Sequence, residues 1–177
     1  METPPFRFRT LAIKTVVSHT ITYFVMGALA FYFLHYADLI NKPNSGMRPT
    51  TDLLVMLGPA LQIVRGVLFA AVFYPFQGAL FGRRNGWLLI AWMLIGLGIL
   101  GTFAAPDGSL EGFIYTTVPF AVHLRGYLET VPQAFLLSAL LFYWTRHPSN
   151  AWLSWVLGVP YAVIVLLPLI GLLARNH

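Results

Sequence analysis

The chain reads as long apolar runs separated by short polar segments, and the runs fall at residues 16–36, 53–75, 87–105, 126–145 and 152–174. Each is close to the ~20 residues that a helix needs to cross a hydrocarbon core about 30 Å thick. The runs are continuous and lack the strict alternation of a membrane strand, so they predict helices and not a barrel. Pro106-Asp107-Gly108 marks a turn after the third run, and Pro132, Pro160 and Pro168 predict bends inside the fourth and fifth. The segment 113–124, FIYTTVPFAVHL, is too short to span and is interrupted by Pro119. It is expected to lie at the interface or to re-enter the membrane, with a longer fourth helix starting near Pro119 as the competing reading. The expected fold is an all-α integral membrane protein: one polytopic domain over residues 1–177, five transmembrane helices, and this short segment between helices 3 and 4.

Composition agrees with that pattern. Of 177 residues, 58% are hydrophobic and 10% charged, and the mean hydropathy is +0.72. A soluble domain has about a quarter of its residues charged, so a soluble globular domain, a disordered chain and a nucleic-acid-binding domain are excluded. The net charge of +5 comes from bases flanking apolar runs, which makes the lipid bilayer, not nucleic acid, the expected partner. There is no cysteine, so disulfides, thiolate nucleophiles and Cys-ligated metal are excluded. Ala28-Leu29-Ala30 resembles a signal-peptide cleavage site, but the apolar run continues through Tyr32, Phe33 and Leu34 and is long enough to span.

The bases set an orientation. With five spans, Arg7, Arg9, Lys14, Arg83, Arg84 and Arg146 share one side, and Lys42, Arg48, Arg125 and Arg175 share the other. The positive-inside rule then puts the N-terminus in the cytoplasm and the C-terminus outside, in the cell membrane. Trp87, Trp144, Trp152 and Trp155 fall at the cytoplasmic ends, where an aromatic belt is expected, and Trp92 lies further in.

What charge remains inside the runs carries the functional question. Arg65 lies about 18 Å from the outer end of the second span, near mid-membrane. An arginine there is disfavoured by at least about 2.5 kcal/mol and must face protein or water. Gln62 sits nearly one turn outward on the same face, and Glu129 and Gln133 share a face of the fourth span. A ladder Arg65–Gln62–Gln133–Glu129 is expected to face a polar cavity in the outer half, with Arg65 as an anionic anchor and the others orienting a ligand. In this arrangement Arg65 and Glu129 differ in depth by roughly 13 Å. His35 and His123, with Arg48, Asp52, Asp107, Glu111 and Arg125, are expected near the mouth. Arg125 and Glu129 could form a surface ion pair, and Asp52 should cap the second helix.

The expected function is therefore binding of a small molecule or lipid headgroup, for transport, sensing or scaffolding. An alternative is an intramembrane enzyme acting on a lipid-linked substrate, with Glu111, His123 and Glu129 as candidate catalytic acid–base groups. A third reading is an accessory subunit that docks a partner or a second copy through the glycine-rich face of the third helix. On that helix Ala91, Gly98, Thr102 and Ala105 are expected to allow close packing, and Gly66–Ala70 and Gly158–Ala162 repeat the small-xxx-small spacing. Gly96-Leu-Gly98-Ile-Leu-Gly101 matches a dinucleotide fingerprint in letters but lacks the strand that the fingerprint needs. Histidines at similar depth (His35 with His123, His19 with His147) could in principle ligate haem, but none is spaced i, i+4, and no cofactor or metal is expected.

Overall fold

The computed structural model of the chain describes residues 6–35, 48–49 and 51–175. Tyr36, Asp38, Lys42 and His177 lie outside the described residues. All regular structure among the described residues is helical. The helices are α1 Phe8–Phe33, α2 Leu53–Met56, α3 Gly58–Phe73, α4 Gln77–Gly82, α5 Gly86–Ile95, α6 Leu110–Tyr115, α7 Phe120–Arg146 and α8 Ala151–Arg175. A 3-10 turn, Tyr74–Phe76, joins α3 to α4, and a π turn, Gly96–Leu100, extends α5.

Local chemistry sets these boundaries. Asp52 caps α2, its Oδ1 accepting from the Leu54 amide at 2.8 Å, as expected for an N-cap carboxylate. Proline at the first turn starts α3, where its missing N–H costs nothing. Pro75 falls in the 3-10 turn that ends α3. Ser109 caps α6 through the Gly112 amide. The segment 113–124 is divided between two helices. Its first residues end α6, Thr116 is extended, and Pro119 caps the 27-residue α7. The longer fourth helix is thus the one observed, because proline fits a helix start and disfavours helical backbone in the residue before it.

Among the described residues, three stretches are long and apolar enough to cross a membrane: Phe8–Phe33, Gly58–Gly82 and Ala151–Ala174. Gly86–Leu100 is apolar but shorter. α7 is long enough, yet Arg125, Glu129, Pro132 and Gln133 lower its hydropathy.

α1 is the central helix and packs on α3, α7 and α8. Of these, α3 and α7 run antiparallel to it. Along α3, Val16 meets Gly66, His19 meets Gln62, and Tyr23 approaches Gly58. Along α7, Lys14 meets Trp144 and Gly27 faces Glu129. Centrality explains why α1 buries a polar stripe of Lys14, Thr15, Ser18, His19, Thr20 and Thr22. Thr15 and Thr22 return their hydroxyls to the Leu11 and His19 carbonyls, which offsets part of the desolvation.

The apolar core occupies the half of the bundle nearest the start of α1. One cluster joins Leu11, Phe73, Leu80, Phe81, Ile90, Leu137 and Leu141. Another joins Val17, Trp144, Leu153 and Leu157. Trp144 is therefore a core residue and not part of a surface belt, whereas Trp152 and Trp155 are exposed. At this end the Phe6 amide donates to Gln77 and the Arg146 guanidinium approaches the Arg83 carbonyl. The outer faces of α1, α3 and α8 expose Phe24, Leu68, Val159 and Leu167 among other large apolar side chains.

Small residues pack closely in one of the expected places and not at Gly98 or Gly158. A Cβ on Gly66 would lie 2.7 Å from the Val16 Cα, so this glycine permits the close α1–α3 approach. Gly98 and Gly158 have nothing within 4 Å of that position. Within the chain, the glycine face of α5 is thus not a tight helix contact: the π turn widens the backbone there, and the Gly101 amide bonds to the Gly96 carbonyl.

Candidate functional site

Against the apolar core lies an open cavity of about 390 Å³ between α1, α3, α5, α7 and the turn before α6. Its polar lining is His19, Tyr23, Arg65, Asp107, Tyr127, Glu129, Thr130 and Gln133, and Phe69, Leu94, Ile99 and Leu137 supply apolar wall. The volume is in the ~300–1,000 Å³ range of small-molecule sites, and the mixture of apolar wall and a few convergent polar groups is also typical.

Each polar group has an identifiable support. Arg65 projects from α3 with its guanidinium 5.4 Å from the Phe69 ring centre, one turn along the same helix, a cation–π geometry that steadies the cation without neutralising it. Glu129 turns from α7 toward α1, where its Oε1 lies 3.9 Å from the position a Gly27 Cβ would take. It thus reaches the cavity lining. Thr130 donates to the Gly126 carbonyl, so its oxygen keeps capacity to accept another bond.

His19 has the most constrained chemistry. It is 1% exposed, and its Nε2 lies 3.1 Å from Gln62 Oε1. The Gln62 amide nitrogen donates to the Gly58 carbonyl at 3.2 Å, which identifies Oε1 as the acceptor. His19 Nε2–H is then the donor, and a neutral ring presents Nδ1 as an acceptor. That Nδ1 is buried and has no hydrogen-bond partner among the described residues.

The outer wall is held by His123. Its Nδ1 accepts from the Gly108 amide at 2.7 Å, its ring stacks on Phe113, and Tyr127 donates to the Gly108 carbonyl. These bonds fix the turn that carries Asp107. Gly108 adopts φ +88°, which only glycine tolerates readily.

The cavity collects Arg65, Glu129 and Gln133 from the sequence reading. Gln62 stands behind His19 and takes no place in the described lining. His35 sits exposed at the end of α1 with φ +51°, away from the lining. Of Glu111, His123 and Glu129, the described lining includes Glu129 alone, and His123 serves the turn. Asp107, expected at the mouth, is in the lining, and sequence reasoning missed His19, Tyr23, Tyr127 and Thr130. A signal existed for His19 in the density of polar residues in the α1 run, but it names no facing partner. Among the described residues, no group of three or more His, Asp or Glu gathers to hold a metal.

No protein-family model matches the chain, and no curated protein or solved structure matches it.

Proposed function

We propose that the chain is a multi-pass protein of the cell membrane whose polar cavity binds a small molecule or lipid headgroup, for transport, sensing or scaffolding. Arg65, Glu129 and Gln133 come from two different helices to line one cavity, and that observation carries the reading. An arginine inside a stretch apolar enough to span is retained at an energetic cost, and a site for an anionic group is a sufficient reason.

In this reading α5 and α7 cross alongside the three long apolar helices, giving five spans. The N-terminus is cytoplasmic and the C-terminus outside. The meeting of Phe6 with Gln77, and of Arg146 with Arg83, supports one basic end. Gly86–Leu100 rises about 22 Å, less than the ~30 Å core, so α5 is the span that needs a locally thinned membrane.

Native mass spectrometry of gently purified protein tests the reading. The wild type should retain a small molecule or lipid, and Arg65→Leu should lose it while staying folded. Equal occupancy in Arg65→Leu would reject the proposal.

A second reading, docking of a partner subunit on α5, is favoured by exposed Trp92 on that helix and exposed Leu97 in the π turn that extends it. Crosslinking that finds only monomers in mild detergent would count against it.

A further inference from the structure

Charge is divided unequally between the two ends of the bundle. The start of α1 packs on the segment that follows α3. The Phe6 and Phe81 rings meet edge to face at 5.9 Å, and those of Phe8 and Tyr74 at 5.5 Å. The end of α7 joins them where the Arg146 guanidinium, 5.4 Å from the Phe142 ring centre, approaches the Arg83 carbonyl. These contacts bring Arg7, Arg9, Arg83, Arg84 and Arg146 to one end, and all five are exposed. The described carboxylates stand elsewhere. Asp52 caps α2, Asp107 and Glu111 belong to the turn and helix bonded to the first turns of α7, and Glu129 faces Gly27. Because α3 and α7 run antiparallel to α1, these positions lie toward the opposite end. Among the described residues, no carboxylate balances the five arginines.

Like charges gathered without counter-charge repel one another, so this end is stabilised by an anion from outside the chain. Guanidinium groups suit phosphate in particular, whose oxygens they take in pairs through a planar fork. The surroundings decide which phosphate. Phe8, Tyr74 and Phe76 are exposed beside the arginines, and Leu68 and Val72 continue the apolar surface along α3. A free phosphate or a nucleic acid would leave that surface in water, whereas a phospholipid covers it with acyl chains while its phosphate meets the arginines. Trp152 and Trp155 are exposed at the start of α8, which packs on this end through Leu153 and Trp144. Exposed tryptophans at that level suit a headgroup layer. A headgroup with its own ammonium cancels the attraction that its phosphate supplies, so the fitting lipid carries net negative charge. We propose that the arginine-rich end is a binding surface for anionic phospholipid, separate from the cavity. This rests on the membrane reading of the chain and not on the binding role of the cavity.

The test reconstitutes the full-length protein in vesicles of equal parts phosphatidylglycerol and phosphatidylcholine, one of the two brominated on its upper acyl chains. Quenching of tryptophan fluorescence then reports which lipid is enriched around the protein. Wild type at low salt should enrich phosphatidylglycerol by about fivefold, the worth of one basic group near an anionic surface. Salt at about 1 M, where the screening length falls to about 3 Å, should abolish the enrichment without altering the protein. Arg83→Gln combined with Arg84→Gln and Arg146→Gln should remove at least about half of it. Arg48→Gln combined with Arg125→Gln, at the opposite end, should leave it intact.

Equal quenching by the two lipids at low salt, or enrichment that survives high salt or the triple replacement, would overturn the proposal. Loss of enrichment in the Arg48→Gln, Arg125→Gln protein would overturn its placement at this end. Flotation separates the two readings. A protein that enters vesicles of either lipid without enrichment removes this surface alone, and one that enters neither removes the membrane reading with it.

Discussion

His19 and Gln62 meet at 3.1 Å across the α1–α3 interface, and the Gln62 amide is in turn held by the Gly58 carbonyl. This relay fixes which ring nitrogen of His19 carries the proton. Replacing Gln62 with leucine would leave a buried imidazole N–H unpaired, at a cost of about 1–3 kcal/mol. A double-mutant cycle with His19→Phe should show coupling of at least about 0.5 kcal/mol in thermal unfolding. Simple additivity would mean that the relay contributes nothing.

Glycines 66 and 98 should respond oppositely to substitution. Gly66→Ala places a Cβ 2.7 Å from backbone of Val16, and neither helix can yield without separating, so it should destabilise by about 1–3 kcal/mol. Gly98→Ala meets nothing within 4 Å and should leave the melting temperature near that of the wild type. Equal melting temperatures for the two variants would contradict the close α1–α3 contact.

Lys14 is buried in α1, with its ammonium 2.8 Å from the Trp144 carbonyl and 5.4 Å from the Trp144 ring centre. That carbonyl lies in the last turn of α7 and has no acceptor role within the helix. Lys14→Met keeps the apolar stem but removes the bond, and should cost about 1.5–3 kcal/mol. Hydrogen exchange should quicken selectively at the C-terminal end of α7. Unchanged exchange there would show that the contact does not hold the helix end.

Asp52 provides a pH-dependent cap. The Leu54 amide and the Arg48 guanidinium hold its carboxyl below the ordinary value of 3.8. Because the folded value is depressed, the stabilisation is fully present above about pH 4 and disappears as the pH falls through the lower folded value. Exchange of the Leu54 amide, slow at neutral pH, should lose its protection on acidification. Asp52→Asn should retain the cap bond but remove this pH dependence. A profile identical in wild type and Asp52→Asn would place the dependence elsewhere.

Much of the bundle was legible along the chain, because length and continuity of apolar runs report where helices lie. The helix starts at Asp52 and Ser109 and the break near Pro75 follow from side-chain chemistry one to three residues away. The start of α7 at Pro119 was ambiguous, since a short apolar run on either side of a proline fits an interfacial segment equally well. Gly98 misled for a related reason: small residues at helical spacing allow close packing but do not supply the helix that packs.

The sequence by itself determined a helical chain of long apolar runs, compatible with a membrane, with its few internal charges at Arg65 and Glu129. It also determined which residues share a face of one helix, since the 3.6-residue period is local. Only the tertiary structure decided that α1 is central, that His19 and Tyr23 join Arg65 and Glu129 in one cavity, and that Gln62 serves His19 rather than the cavity itself. The reason is physical. Where the surroundings are as apolar as the interior, apolar residues cover every side of a helix and no longer mark its inner face. Pairing is then settled by close approaches such as Gly66 on Val16, which no single stretch of sequence encodes.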